Sequence, residues 1–231
     1  MFSLNLQNNN LFKPLKNRVI MKAFFLTLAT LIASASMAVV SAQSLPEKAT
    51  DIAPMVVGEM VPDVTLTSAE GQSVSLHSLT KEKPTVLVFY RGEWCFNCTN
   101  NFRDEFVPNL GEIEKMGYQV ICVSPDASAG LKKTSEESTM PLKHFYGDPK
   151  GNLAKAMGLA FLATGRAVDF TKKSSEGLNT DPYLPAPAFY VIDTNNEVKF
   201  ADVRPNAIPA AKRIGWNFYG PILQSLKLYY L

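Results

Sequence analysis

The protein is a chain of 231 residues with 23 basic and 21 acidic side chains, and 46% of its residues are hydrophobic. Four of the basic residues and none of the acidic ones lie within residues 1–42, so the rest of the chain has 19 basic against 21 acidic side chains, a net charge of −2. This near-neutral balance argues against the basic surface that binds nucleic acid and the cationic face that binds membranes.

The first predicted element is a secretory signal peptide within residues 1–42. Lys22 precedes an apolar run over residues 23–40, and small side chains of the kind that a signal peptidase requires follow it. We expect cleavage before Gln43, with Met21 as a possible true start, and export to the periplasm or the medium. The alternative is an uncleaved anchor, although alanines and serines dilute the hydrophobicity of the run. After cleavage we expect no membrane span and no nucleic-acid partner.

The remaining 189 residues suit one domain with a full-sized core. We expect residues 43–53 to form a short exposed lead-in and residues 54–228 to form the domain. Alternating apolar and polar residues over Val64–Leu76 predict a β-hairpin that is exposed on one face. Continuous apolar residues over Thr85–Tyr90 predict a central strand that is covered on both faces.

A β-α-β unit begins with that central strand. Apolar residues recur at helical spacing between Phe96 and Met116, and Pro108 should kink or split this helix. The segment YQVICVSPD, residues 118–126, predicts a second buried strand, parallel to the first. Its Cys122 is flanked by aliphatic residues and is expected to be a small core side chain.

The rest of the chain predicts a mixture of helices and strands. Residues 151–159 predict a short helix ended by a glycine, residues 161–184 a long irregular segment, and residues 188–203 a hairpin that turns at Asn195. A last amphipathic helix is expected over residues 210–228. This order is that of an α/β protein with a thioredoxin-like fold, in which helices flank a central mixed β-sheet and an extra β-hairpin lies at the N-terminus.

The segment FYRGEWCFNC places Cys95 and Cys98 where the central strand hands over to the helix. The first turn of a helix offers unpaired N–H groups and a partial positive charge to a thiolate, so this pair predicts a redox-active disulfide. We expect Cys95 to be the more exposed and attacking thiol, and Cys98, one turn further in, to resolve the mixed disulfide. No cofactor beyond this disulfide is expected.

Other uses of the two cysteines remain open. A zinc site would need two more ligands from Cys122, His77 and His144, which are dispersed in the sequence. A structural disulfide is possible in an exported protein, but so short a loop gains little chain entropy from a cross-link. The redox interpretation gains from Pro187, which immediately precedes a predicted strand, because a cis proline there would bring its backbone beside the dithiol.

Four segments, in this order and at these spacings, resemble the peroxiredoxin-like branch of the AhpC/TSA family in the thioredoxin superfamily: KPTVLVFYRGEWCFNC, VSPD, GDPKGNLAKAMGL and LPAPAFYVID. The resemblance covers about residues 54–203. It implies a thioredoxin fold and thiol-based redox chemistry. The partners that it implies are protein or small-molecule thiols and disulfides, peroxides, and a reductant that it does not identify.

The resemblance leaves two activities open. In typical peroxiredoxins a threonine stands three residues before the peroxidatic cysteine, and superposition puts Cys95 in the threonine place and Cys98 in the cysteine place. An arginine ahead of a later strand is replaced here by Pro187. Loss of both donors removes groups that would position a peroxide, so thiol–disulfide exchange is favoured. A thiol peroxidase with Cys98 as the peroxidatic residue is the alternative.

The chain also departs from thioredoxins, which bury an aspartate six residues before the first cysteine, where this chain has Phe89. Another base, or water, must then serve. Arg91 and Glu93 are either supporting groups or ordinary surface charges, and Trp94 is expected to pack against the dithiol. Two minor alternatives are a Cu(I) carrier with His144 as a third ligand and a binding module with an inactive dithiol.

Overall fold

A computed structural model describes residues 44–205 and Leu226. The strands are β1 Thr65–Ser68, β2 Ser73–Ser75, β3 Thr85–Phe89, β4 Gln119–Ser124, β5 Phe145–Gly147, β6 Ala160–Leu162, β7 Tyr183–Pro185, β8 Ala188–Ile192 and β9 Val198–Val203. The α-helices are α1 Leu76–Thr80, α2 Phe96–Asn101, α3 Val107–Lys115, α4 Ser128–Ser138, α5 Asn152–Ala156 and α6 Arg166–Ser174. Two 3₁₀ turns, Ala49–Asp51 and Leu142–His144, and a π-helical turn, Phe102–Phe106, complete the described elements.

Seven strands form one mixed sheet in the order β2-β1-β5-β4-β3-β8-β9. Strand β4 is parallel to β3 and to β5, whereas β8 is antiparallel to β3. Strands β1 and β2 form the expected N-terminal hairpin, and β8 and β9 form the expected later one. The predicted mixed α/β architecture and the predicted β-α-β unit are therefore confirmed.

The central strand β3 is buried along its whole length, as its continuous apolar sequence predicts. Val86 and Val88 face one core cluster, and Leu87 and Phe89 face another, because successive side chains of a strand point to opposite faces. The first cluster includes aromatic and aliphatic residues of the helical segment after the dithiol, and the second includes residues of α5. Cys122 lies fully buried in the first cluster, which confirms its expected core position.

The helix predicted between Phe96 and Met116 is interrupted before Pro108 rather than at it. Between α2 and α3 lies a π-helical turn, Phe102–Phe106, after which the Val107 N–H donates to the Phe102 carbonyl. Pro108 then occupies the first turn of α3, directly after the π-helical turn. The backbone therefore remains helical on both sides of Pro108.

Residues 161–184 are not irregular, and this prediction was wrong. They contain helix α6, and strands β6 and β7, which pair with each other outside the main sheet. Helix α4 was also missed. Both helices are rich in lysine, serine and threonine and contain few large apolar side chains, so the apolar pattern that identifies a helix in a sequence is sparse.

The lead-in is only partly exposed. Leu45 and Ile52 pack against the second core cluster, and the Leu162 N–H donates to the Pro46 carbonyl at 2.9 Å. No helix within residues 44–205 is long and apolar enough to cross a membrane. The predicted signal peptide, residues 1–42, and the predicted helix over residues 210–228 lie outside the described residues, except Leu226, which is helical and buried in the first cluster.

Candidate active site

Cys95 and Cys98 lie at the junction that the sequence predicts, after strand β3 and at the start of helix α2. Cys95 is the N-cap residue, and its carbonyl accepts hydrogen bonds from the N–H groups of Cys98, at 2.8 Å, and Thr99, at 3.1 Å. The two sulfurs form a disulfide, with the Cα atoms 5.3 Å apart. The first helical turn therefore brings both sulfurs to one place.

The exposure of the two cysteines is the reverse of the expectation. Cys95 is 3% exposed, whereas Cys98 is partly exposed. The preceding loop accounts for this, because the Cys95 N–H donates to the Gly92 carbonyl at 3.0 Å and so draws Cys95 under the loop. Between the cysteines, Phe96 points outward and is 74% exposed.

Arg91 is the charged side chain that the structure brings to the dithiol. Its Nη2 donates to Cys95 Sγ at 3.4 Å, and its guanidinium carbon lies 5.6 Å from the centre of the Trp94 ring. Partial burial lowers the pKa of the guanidinium, which stays charged at neutral pH. A cation in contact with a cysteine sulfur favours the thiolate of that cysteine once the disulfide is reduced.

Glu93 and Trp94 point away from the sulfurs toward neighbouring helices. The Glu93 carboxylate forms an ion pair with Lys133 of α4, and the Trp94 ring stacks on Phe170 of α6 with ring centres 5.3 Å apart. The largely buried Glu93 carboxylate is thereby paired with a half-exposed lysine. Trp94 belongs to the loop that covers Cys95, and its stack on Phe170 joins that loop to α6.

A buried carboxylate that the sequence analysis did not consider lies under this loop. Asp126 follows β4 in the VSPD segment and is fully buried, and its Oδ2 accepts from the Glu93 N–H and from Ser124 Oγ, both at 2.9 Å. Burial raises the pKa of Asp126 to about 6. The signal was present in the sequence, because an aspartate at the end of a parallel strand next to the dithiol strand must lie at the same edge of the sheet.

Pro187 lies at the same end of the sheet as the dithiol loop. The antiparallel register pairs Ala188 with Phe89, so the residue before Ala188 adjoins the end of β3. The expected cis form is wrong, because every peptide bond within the described residues is trans. The Pro187 carbonyl accepts a hydrogen bond from the Arg204 N–H at 2.9 Å, which extends the pairing of β8 with β9. A direct role of Pro187 at the dithiol stays a prediction.

The histidines lie elsewhere. His144 Nδ1 is 2.9 Å from the Val120 carbonyl near the start of β4, whereas the dithiol follows the opposite end of the neighbouring parallel strand. His77 Nε2 is 2.8 Å from the Val61 carbonyl. The described residues contain no cluster of three or more histidine, cysteine or acidic side chains able to hold a metal ion. His144 is therefore too remote to be the third copper ligand that the sequence analysis considered.

Comparison with known proteins shows which family and which relatives the chain matches. The family model described as "AhpC/TSA family" matches residues 57–201. Peroxiredoxin bcp1 of Schizosaccharomyces pombe is 33% identical over 105 residues, which are 44% of this chain and 51% of the relative. A thioredoxin-like protein of Haemophilus influenzae is 33% identical over 106 residues, 43% of this chain and 57% of the relative. The chain thus spans little more than half the length of these curated relatives.

A solved structure shows the same fold. Reduced Prx3 of Vibrio vulnificus in complex with hydrogen peroxide superposes with a TM-score of 0.58 at 17% identity, covering 74% of this chain and 99% of that chain. At this identity the likeness establishes the fold alone. The expected thioredoxin-like fold is confirmed.

Proposed function

Because the chain belongs to the AhpC/TSA family, we propose that it is a thiol-dependent peroxidase in which Cys98 attacks the peroxide and Cys95 resolves the product. The observation that carries this assignment is the exposure of the two cysteine residues. Cys98 packs against the first core cluster but is partly exposed to solvent, whereas Cys95 is buried under the loop that precedes it. The roles are therefore the reverse of those expected for thiol–disulfide exchange.

The first step oxidises Cys98. Its thiolate attacks one peroxide oxygen, and an S–O bond forms as the O–O bond breaks. The leaving oxygen takes a proton and departs as an alcohol or as water. Cys98 is left as a sulfenic acid, and the peroxide has accepted two electrons. Cys98 lies in the first turn of α2, where the partial positive charge of the helix N-terminus favours the starting thiolate.

The second step uses Cys95. Its thiolate attacks the Cys98 sulfur, the S–S bond forms as the S–O bond breaks, and hydroxide leaves as water with the proton that Cys95 has lost. Arg91, in contact with Cys95 Sγ, favours the thiolate that this step needs. A thiol reductant then supplies two electrons and two protons to restore both thiols.

Arg91 also answers the objection that this chain lacks the donors of typical peroxiredoxins. The threonine place is Cys95 and the arginine place is Pro187, but a guanidinium reaches the dithiol from position 91. A fixed cation beside the reacting sulfurs stabilises the negative charge that develops as the O–O bond breaks. The alternative activity, thiol–disulfide exchange through Cys95, is favoured by the same contact, since Arg91 touches Cys95 and not Cys98.

Single cysteine variants in a Cys122→Ala background distinguish the two activities. For a peroxidase, we expect Cys95→Ser to consume one equivalent of peroxide and to accumulate a sulfenic acid at Cys98, detected by dimedone labelling and mass spectrometry. Cys98→Ser should consume peroxide no faster than a free thiol. Cys122→Ala alone, which changes only a buried core residue, is the control and should keep the wild-type rate.

The opposite asymmetry would contradict this proposal. If Cys98→Ser becomes trapped as a mixed disulfide through Cys95, and Cys95→Ser reacts with neither peroxide nor disulfide, the protein is an exchange enzyme of the kind that the sequence analysis favoured.

A further inference from the structure

Asp126 connects several elements that meet behind the dithiol loop. Besides its bonds to Glu93 N–H and Ser124 Oγ, its neighbouring residue Ala127 donates its N–H to the Ser174 carbonyl at the end of α6, at 2.8 Å. The same helix supplies Phe170, on which Trp94 stacks. The loop before Cys95 is thus hydrogen-bonded to Asp126, and helix α6 is hydrogen-bonded to the next residue, Ala127.

Three glycines leave room for Asp126, one beside its carboxylate, one beside its Cβ atom and one beside its carbonyl. A Cβ atom at Gly92 would lie 2.7 Å from Asp126 Oδ1, and one at Gly130 would lie 2.9 Å from Asp126 Cβ. A Cβ atom at Gly147 would clash with the Asp126 carbonyl. These glycines belong to the dithiol loop, α4 and β5. All three elements therefore approach Asp126 more closely than they could if a residue with a Cβ atom replaced the glycine. Gly92 also has φ +125°, a conformation that favours glycine.

The charged and titratable groups around the carboxylate are few. Glu93 and its partner Lys133, the phenol group of Tyr90 just after β3 and that of Tyr183 in β7 interact with it electrostatically. None of these groups forms an ion pair with Asp126 among the described residues. Its identified hydrogen bonds are to a backbone N–H and a hydroxyl, which hold the chain in place.

We propose that Asp126 is a positioning residue for the dithiol: by holding the Glu93 N–H, two residues before Cys95, it fixes the loop that sets the Cys95 sulfur within reach of Cys98. The inference rests on the proposed function, because closure of the disulfide is the second step of that reaction. It assigns a role to Asp126 in the closing step and none in the attack of Cys98 on peroxide.

The test compares variants of two buried aspartates. Asp126→Ala removes the acceptor, Asp126→Asn keeps an oxygen that can accept from Glu93 N–H, and Asp148→Ala removes a carboxylate that instead accepts from three N–H groups of α5. Disulfide closure is followed by stopped-flow after one equivalent of hydrogen peroxide. Sulfenic acid formation at Cys98 is followed separately in a Cys95→Ser background.

We expect Asp126→Ala to slow closure by about tenfold or more, since a misplaced reacting group loses its effective concentration, while sulfenic acid formation changes by less than about threefold. Asp126→Asn should restore most of the closing rate. Asp148→Ala should lose thermal stability without slowing closure. The inference is overturned if Asp126→Ala closes at the wild-type rate, if Asp148→Ala slows closure equally, or if Asp126→Asn gives no rescue.

A second pair of variants serves if Asp126→Ala does not fold. Glu93→Pro removes the N–H that Asp126 accepts and leaves the aspartate in place, whereas Glu93→Ala keeps that N–H and removes only the ion pair with Lys133. We expect closure to slow in Glu93→Pro and not in Glu93→Ala. Equal closing rates in the two variants would overturn the inference.

Failure of the proposed function gives a different result. Closure is also measured with dithiobis(nitrobenzoate), a disulfide reagent. One cysteine attacks the reagent, forms a mixed disulfide and releases one thionitrobenzoate. The other cysteine then attacks this mixed disulfide, closes the Cys95–Cys98 disulfide and releases the second thionitrobenzoate. If the wild type does not reduce peroxide, the peroxidase proposal fails, while the release of the second thionitrobenzoate still reports closure. Slower second release in Asp126→Ala, with rescue in Asp126→Asn, then supports the inference alone.

Discussion

Two cysteines in one helical turn differ in exposure because of residues that precede them. The sequence places Cys95 and Cys98 correctly at a strand-to-helix junction, since an apolar run and a change of period mark that junction. It does not show which cysteine is exposed to solvent. That depends on the path of the loop after β3, and the loop depends on Arg91, Gly92 and the remote Asp126.

The ionisation of Asp126 gives a prediction about stability. Burial raises its folded-state pKa to about 6, against a value of 3.8 for the unfolded chain. Between these values the folded state holds a proton that the unfolded state has released, so this group lowers the free energy of unfolding as pH rises from about 4 to about 6. The loss is fully present above that window and is at most about 3 kcal/mol.

Asp126→Asn lacks this ionisation. The free energy of unfolding of Asp126→Asn minus that of the wild type should therefore be larger, that is, more stabilising, at pH 7 than at pH 4. Urea denaturation at both pH values measures this difference. Gln72→Ala, at an exposed position without an ionisable group, is the control and should show the same difference at both pH values. An Asp126→Asn difference that does not change with pH would contradict the assignment.

At the scale of elements, strong apolar patterns were predicted correctly and weak ones were missed. The buried strands β3 and β4 and the hairpin of β8 and β9 have unmistakable patterns. Helix α6 does not, because its residues RAVDFTKKS include few large apolar side chains and its stability comes from tertiary contacts. One of those contacts, the stack of Phe170 on Trp94, reaches the candidate site.

The stack predicts that α6 holds the dithiol loop in place. In a Trp216→Phe background, which leaves Trp94 as the only tryptophan, Phe170→Ala should shift the emission of Trp94 to longer wavelength and raise its quenching by acrylamide. We expect a loss of about 1 kcal/mol in the free energy of unfolding, the usual worth of an aromatic pair. Leu178→Ala, at another exposed apolar position after α6, should leave the emission unchanged. An unchanged spectrum in Phe170→Ala would show that the stack does not hold Trp94.

For the whole molecule, the fold class followed from the order of elements, while the chemistry did not follow from the motif alone. The order of strands and helices and the position of the dithiol both pointed to a thioredoxin-like fold, and the structure confirms it. The choice between exchange and peroxide reduction turned on absent donors at positions 95 and 187. Arg91 brings a charged donor to Cys95 from a different position in the chain, which only the folded structure shows.

The compartment that the sequence predicts for the protein bears on its chemistry. Lys22 and the apolar run over residues 23–40 predict export. Outside the cytoplasm thiols are oxidised, so the dithiol would rest as the Cys95–Cys98 disulfide until a reductant of that compartment reduces it. The protein would then depend on a thiol reductant at every turnover.

We therefore predict that the mature protein begins near Gln43. N-terminal sequencing of the protein from the extracytoplasmic fraction checks this directly. Ala42→Leu should block processing and leave a longer chain, because a signal peptidase requires small side chains at its cleavage site, whereas Ser44→Ala, just beyond that site, should be processed normally. Recovery of the wild type in the membrane fraction with residues 22–40 retained would show that the segment is an anchor, and the dithiol would then act at the membrane surface.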